Sequence, residues 1–390
     1  MRTILHCDCN GFYASVECTI NPELKNVPMA VCGNPENRHG IILAKNELAK
    51  KYKIQTAETI WQAKRKCPDL VLVEPHHELY SKYSQRVNNI YKEYTDLVEP
   101  FGIDESWLDV TGSRLLFGDG VTIADTLRRR IREELGLTIS VGVSFNKVFA
   151  KLGSDYKKPD ATTEFSEENW QDRIFPLPVE SLLFVGGKAK EKLSHLCITT
   201  IGDLAASDRQ LLISHLGKMG DTLWIYANGL DDSPVTPPGD GSDVKSIGNS
   251  NTFRNNLISW EEIHMGIKML SESIASRMRA VDLKCCTVSV GVKDTNLKVT
   301  SRQKKLPYPT FLASEISEAA LELIKTFWPQ GKPIRMLSVT GMNLIPAKED
   351  FSQLTLFGED EIQTKRKKLE KLEAAMDKLD VHRGTDRPKL

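Results

Sequence analysis

Residues 231–244, DDSPVTPPGDGSDV, break the chain. The run is rich in Pro, Gly and Asp and carries almost nothing to bury, so it reads as a linker. What lies on either side must therefore build its own core. At 390 residues the chain is in any case too long for one ordinary core, and two to four domains are expected.

The stretch after the linker has a clear order. KSIGNSNTF reads as a strand, SWEEIHMGIKMLSESIASRMRA as a helix, and CCTVSVGVKD and LKVTSRQKKL as two strands. The helix ASEISEAALELIKTFW and the strand IRMLSVTGMNL complete a βαββαβ unit. The stretch before the linker repeats this order with an insert near 20–75. TILHCDC is a strand, then Asn10-Gly11 turns the chain into a helix from Phe12. The helix of Tyr80, Tyr83, Val87, Ile90 and Tyr91 presents a packing stripe. A strand at 106–110, the helix VTIADTLRRRIREELG, the strand TISVGVS and the helix NKVFAKLGSDYKK follow. From about 176 to 230 short helices alternate with Gly-containing turns. The fold class is α+β and multidomain.

Two places put acid where apolar sequence dominates. Asp8 ends the first strand between Cys7 and Cys9, and Asp104 and Glu105 stand side by side in VEPFGIDESWLDVTG. Adjacent carboxylates repel, and neighbours on a strand point to opposite faces. Two readings are open. Gly102 and Asp104 suit a solvated turn, whereas a bound cation reverses the cost of gathering acids. Three carboxylates on adjacent strands can hold two Mg²⁺ ions for phosphoryl chemistry, with the backbone carbonyl of Cys9 as a further oxygen ligand. Lys50, Lys151, Lys157 and Lys158 supply cations nearby in sequence, as a triphosphate requires.

Five segments in order resemble the Y-family (translesion) DNA polymerases, of the bacterial polymerase IV type. HCDCNGFYASVE and GIDESWLDV are similar to the family's two metal motifs, and VGVSFNKVFAKLGSDYKKPD to the palm motif after them. FVGGKAKEKLSHLCITTIGDL resembles its helix-hairpin-helix thumb, and KSIG followed by SR its little finger. The resemblance implies a right-hand polymerase with a ferredoxin-like palm (1–22 and 76–170), small fingers (23–75) and a helical thumb (171–231). A linker (232–244), a βαββαβ little finger (245–346) and a tail (347–390) complete it.

The same resemblance implies that Asp8, Asp104 and Glu105 are catalytic and, with Cys9, hold two Mg²⁺. It makes Tyr13, beside Phe12, the steric gate under the sugar of the incoming dNTP, where many relatives have Phe. Lys158 and Lys50 become triphosphate ligands. Lys50 sits in Glu47-Leu48-Ala49-Lys50 where many relatives have Tyr-Glu-Ala-Arg, so a point charge replaces a fork and Glu47 stands in the place of the fingers tyrosine. Lys147 and Lys151 read as solvated or DNA-facing, and Ser106, next to the acid pair, as either a plain strand hydroxyl or a residue with a role in the site. The hairpin residues Gly186, Gly187, Lys188 and Lys190, and the little-finger residues Lys245, Lys298 and Arg302, are expected on primer-template DNA phosphates. Gln353, Leu354, Leu356 and Phe357 in QLTLF are similar to the bacterial sliding-clamp motif. A charged helix over 364–379 has no assigned role.

Composition sets outer bounds. Lys+Arg and Asp+Glu are both 52, so net charge names no partner, although Lys293, Lys298, Arg302, Lys304 and Lys305 form a local basic run. No apolar run approaches the ~18 residues of a membrane span, and eight scattered cysteines suit a reducing cytoplasm. A monomer working in the cytoplasm is expected. A nucleotidyl cyclase would share a palm-like sheet, but its Gly-Gly-Asp/Glu-Glu-Phe signature is absent. A non-catalytic, clamp-tethered DNA-binding protein would show loss of one acid of the three, and all are present.

Overall fold

The computed structural model of the protein describes residues 2–34, 40–239, 244–348, 366 and 368–377. The chain divides into two compact units, Met1–Ser242 and Asp243–Leu390.

The strands of the first unit are β1 (Ile4–Cys9), β2 (Met29–Cys32), β3 (Ile42–Lys45), β4 (Val71–Val73), β5 (Val98–Pro100), β6 (Glu105–Asp109), β7 (Ile139–Ser144) and β8 (Thr162–Phe165). One sheet runs β5-β6-β1-β7-β8. β1 is antiparallel to both β6 and β7, β5 and β6 form a hairpin, and β8 adds parallel to β7. Without β8 this is the order and polarity of a ferredoxin-like βαββαβ sheet, as the sequence leads one to expect.

Alternation along β1 divides the work between two faces. Leu5, Cys7 and Cys9 point into the main core, where Val87, Ile90 and Tyr91 of helix His77–Lys92 and Ile123, Leu127 and Ile131 of helix Gly120–Leu135 meet them. Each such fully buried side chain contributes about 1.5–3 kcal/mol. Ile4, His6 and Asp8 point to the other face, which helix Lys147–Tyr156 covers only in part. That helix lies very close to β7. A Cβ on Gly142 would stand 1.8 Å from the carbonyl oxygen of Ala150, so only glycine fits there.

The insert carries a smaller sheet, β3-β2-β4, with helices Glu47–Lys51 and Ile60–Lys66. Ala30, Cys32, Ile42, Ala49, Ile54, Ala63, Cys67 and Leu70 form its own core. Asn46 fixes the short helix: its Oδ1 accepts from Ala49 N at 2.9 Å while its Nδ2 donates to the carbonyls of Leu24 and Val27. Residues 170–227 are helical and pack through Leu193, Ile201, Leu204, Leu212 and Leu223 onto Phe149 and Phe165.

The linker expectation needs correction in its first half. Val235 is buried against Ile4, Trp107 and Ala150, Ser233 O accepts a hydrogen bond from Arg2, and Thr236 N donates to Glu99 at 2.8 Å. A single valine and two polar contacts are enough to dock a segment that composition alone reads as free.

The second unit contains β9 (Ser246–Leu257), β10 (Leu283–Lys293), β11 (Val299–Thr310) and β12 (Ile334–Pro346), with helices Trp260–Ala280 and Ala313–Phe327. The element order is βαββαβ again, but the strand order is β11-β10-β12-β9. Val288, Val290, Val292, Leu337 and Val339 face the two helices. A polar helix over 368–377 ends the described chain. Arg279 pairs with its Glu373 and Asp377, Lys284 with Glu370, and Glu373 also accepts from Ala313 N. The helix is therefore held by ion pairs on the second unit. Among the described residues, no helix is long and apolar enough to cross a membrane.

Candidate active site

β1 delivers Asp8, and the β5–β6 hairpin delivers the adjacent pair. Asp104 is the last residue of the hairpin loop and Glu105 the first of β6, so the two leave the backbone in different settings. Asp8 and Glu105 are register partners, and Cys9 N donates to Asp104 O at 2.9 Å, which ties the loop to the end of β1. The three acids predicted from sequence thus come from two neighbouring strands. Ser106 turns to the core and donates to Asn88 Oδ1 at 2.8 Å, a packing role.

A cavity of about 460 Å³ opens beside Asp8 and Asp104. Asp8, Cys9, Asn10, Gly11, Phe12, Tyr13 and Asp104 line it, together with Lys45, Lys50, Thr56 and Lys158. Gly11, at φ +54°, makes the sharp entry into helix Phe12–Ile20, and a Cβ there would lie 3.1 Å from Lys45 O. No side chain caps that helix start. The Cys9 side chain is buried in the core, so only its backbone is available to the site.

Each acid has a distinct electrostatic setting. Burial, together with Asp8 and Glu105, pushes the Asp104 carboxyl up to about 6. Burial also raises Asp8, although Lys158 donates to its Oδ2 at 2.7 Å. Burial acts on Glu105 in the same sense, but the His6 imidazole and the Lys151 ammonium outweigh it and hold the group at about 2. His6 Nε2 is 3.2 Å from Glu105 Oε2, its Nδ1 is 2.8 Å from Ser154 Oγ, and burial depresses its pKa.

The reading of Lys147 and Lys151 as solvated or DNA-facing is overturned. Lys151 donates to Glu105, and Lys147 donates to both oxygens of Glu99 at 2.7 Å while lying 4.5 Å above the Trp107 ring. Sequence reasoning also passed over His6 and Lys45. The alternation His-x-Asp in β1 placed His6 on the face of Asp8 and was the available signal. Lys45 closes β3 and donates to Thr56 Oγ1 at 3.2 Å.

Lys158 and Lys50 reach the cavity, as expected. Lys158 is shared by Asp8 and Asp155, at 2.7 and 2.6 Å. Its loop is anchored by Asn10, whose Oδ1 accepts from Asp160 N at 2.8 Å, and by Arg128 on Asp160. Lys50 pairs with the exposed Glu47 at 2.5 Å.

Among the described residues, no three His, Cys, Asp or Glu side chains are gathered closely enough to hold one metal ion. Lys158 on Asp8, and Lys151 with His6 on Glu105, hold the acids in separate pairs. The donor set nevertheless fits Mg²⁺. That ion takes one or two carboxylates plus water and substrate phosphate oxygens rather than a closed protein cage.

The residues expected on DNA are placed as follows. Gly186 and Gly187 precede and begin helix Gly187–His195, with open space where side chains would be. Neither adopts a left-handed conformation; Phe184 does, at φ +70°. Bare backbone at a helix start is what the two glycines provide. Lys188 is exposed, whereas Lys190 pairs with Glu180 at 2.6 Å.

In the second unit Lys245 precedes β9 and Lys298 lies in the turn before β11, both exposed. Arg302 is in register with buried Val290 and lies over Phe327, on the helix side of the sheet. The opposite face carries Thr287, Ser289, Lys293, Gln303, Lys305, Ser338 and Thr340. The basic run of β11 is thus split between two faces. Gln353, Leu354, Leu356 and Phe357 lie outside the described residues.

The model of the impB/mucB/samB family matches residues 7–155, and that of the family's C-terminal domain residues 244–356. A DNA polymerase IV of Acetivibrio thermocellus is 50% identical over 378 residues, 97% of this chain and 94% of its own length. DNA polymerase IV 2 of Bacillus subtilis is 38% identical over 91% of this chain and 87% of its own. A solved Y-family DNA polymerase chimera superposes with a TM-score of 0.79, covering 88% of this chain and 99% of that one; at 23% identity this likeness concerns fold. The architecture is that of a right-hand DNA polymerase of the Y-family class. The chain belongs to that family, on its DNA polymerase IV branch, and is an enzyme.

Proposed function

We propose that the chain performs template-directed, low-fidelity DNA synthesis across damaged template, with Asp8, Asp104 and Glu105 as its catalytic metal ligands. The observation that carries this reading is the cavity lined by Asp8 and Asp104 together with Lys45, Lys50 and Lys158. Carboxylates and ammonium groups lining one cavity match a metal-bound nucleoside triphosphate.

Two Mg²⁺ ions, held by the three acids and the Cys9 carbonyl, would supply activation of the primer 3′-hydroxyl and neutralisation of charge on the transferring phosphate. The chain's own residues do the rest. Lys158 exchanges Asp8 for triphosphate oxygen, and Lys50 and Lys45 take the outer phosphates. The uncapped start of helix Phe12–Ile20 offers backbone N–H groups to the same charge. Phe12 and Tyr13 floor the sugar, and Tyr13 excludes a ribose 2′-hydroxyl. Lys151 and His6 orient Glu105. The attack forms the new phosphodiester bond at the α-phosphate and releases pyrophosphate.

Primer-template DNA is gripped by Gly186, Gly187, Lys188 and Lys190 at a helix start, and by Lys245, Lys298 and Arg302 in the final domain. The polar sheet face with Lys293 and Lys305 offers a second run of donors for backbone phosphates. Gln353, Leu354, Leu356 and Phe357 dock to a bacterial sliding clamp. The palm, fingers, thumb and little finger follow the boundaries given above, and the enzyme works as a cytoplasmic monomer.

Primer extension with Mg²⁺ on intact and abasic templates tests the proposal. Extension past the abasic site by wild type, and none by Asp104→Ala with DNA binding retained, is expected. Undiminished extension by Asp104→Ala would remove that residue from the chemistry.

A further inference from the structure

Glu17 is a buried carboxylate, 4% exposed, on the same helix as Tyr13 and one turn after it. The spacing places both on one side of the helix. Its Oε1 accepts a hydrogen bond from the Tyr80 hydroxyl and lies 2.8 Å from His76 Nδ1. Tyr80 has no exposed surface, and its ring stacks on Tyr13 at 4.1 Å between centroids and 15° between planes. Phe12 and His77 meet Tyr80 edge-on, at 6.4 and 5.9 Å. Tyr13 lines the cavity and Tyr80 stands behind it.

We infer that Glu17 is a positioning residue for sugar selection, acting through Tyr80, which backs the Tyr13 ring. The inference rests on the reading of Tyr13 as the gate. A buried carboxylate is a costly way to join two helices, since apolar packing of the same volume does so without desolvating a charge. It does, however, accept two donors at a fixed point. The Tyr80 hydroxyl is thereby pinned and the ring plane held parallel to Tyr13. A gate excludes one hydroxyl by contact, so a ring free to shift by a fraction of an ångström loses discrimination before it loses packing. Tyr13 itself is only half-buried, and its most parallel contact is this stack.

The test compares kcat/KM for a dNTP and the matching NTP on primed DNA. Tyr13→Ala must first raise NTP use strongly; if it does not, the gate reading falls and this inference with it. Glu17→Ala is then expected to lower the dNTP/NTP ratio roughly tenfold, the effect of losing about one hydrogen bond to a charged group. Tyr80→Phe keeps the ring and volume, loses only the hydroxyl, and is expected to show the same loss. Glu17→Gln, which retains an acceptor oxygen, is expected to keep most of the selectivity. If Tyr13→Ala admits NTPs while Glu17→Ala and Tyr80→Phe leave the ratio unchanged, or lower both substrates equally, Glu17 only supports packing and the inference is overturned.

Discussion

Asp104→Asn should make the metal-free protein more stable near pH 8 while ending its activity. The fold holds the Asp104 carboxyl at about 6 against an ordinary 3.8, because burial and the charges of Asp8 and Glu105 disfavour ionisation. A carboxyl raised in this way binds its proton more tightly folded than unfolded. It therefore destabilises the folded state above about pH 6, and the penalty fades as pH falls and is gone below 3.8. The gap corresponds to about 3 kcal/mol at 1.36 kcal/mol per tenfold in proton affinity. Asp104 lines a cavity open to solvent, and screening reduces the expected effect to about 1–2 kcal/mol.

The assay is thermal unfolding in EDTA across pH 5 to 8, comparing the two proteins at each pH. That comparison cancels His6, which burial disfavours from protonating in both. Glu105 leaves the window undisturbed, since its group is held at about 2. The variant should melt a few degrees higher near pH 8, with the difference shrinking toward pH 5. Added Mg²⁺ should stabilise wild type more than the variant, because an ion that binds only the folded state shifts the equilibrium toward it. A variant that melts no higher than wild type at pH 8, or a difference that persists unchanged to pH 5, would refute the electrostatic account of the site.

Lys158→Ala should raise KM for dNTP about ten- to a hundredfold, as expected for one lost charge-assisted contact, with little change in DNA affinity measured by anisotropy. Gly142→Ala should cost about 3 kcal/mol in urea unfolding, because the new Cβ would meet the Ala150 carbonyl and push away the helix that carries Lys151; a neutral effect would mean the helix can slide. Arg279→Ala leaves Glu373 and Asp377 half-buried and without that partner, and should weaken the docking of the helix over 368–377 by about 3 kcal/mol. Faster amide exchange in that helix alone would register it, and unchanged exchange would show that the ion pairs do not hold the helix.

Both βαββαβ successions were legible because β-branched strands and 3.6-period helices alternate cleanly, and both occur in the structure. Strand order was not legible in the periodicity itself; for the first unit it came only with the family resemblance. The two units share an element order yet arrange their strands as β5-β6-β1-β7 and β11-β10-β12-β9, since connection order leaves open which edges meet. Asp8, Asp104 and Glu105 were conspicuous as acids in apolar surroundings. Lys151 and His6 were not, because their partner Glu105 lies on another strand and becomes a neighbour only when helix Lys147–Tyr156 is pressed onto Gly142. The faces of β11 were misjudged by reading Arg302 and Lys305 as one basic surface, although an odd spacing sends them to opposite sides. Docking of Ser233–Thr236 likewise depends on a slot formed by Ile4 and Trp107 that no local pattern announces.

The three acids, at the end of β1 and at the start of β6 with the loop before it, organise metal-dependent nucleotidyl transfer. Single-turnover incorporation of one dNTP onto a primed template, followed against Mg²⁺ concentration, tests it most directly. The account predicts a greater than first-order dependence on Mg²⁺ in wild type, and no incorporation by Asp8→Asn at any Mg²⁺ concentration while the template is still bound. Incorporation by Asp8→Asn at the wild-type rate would contradict it.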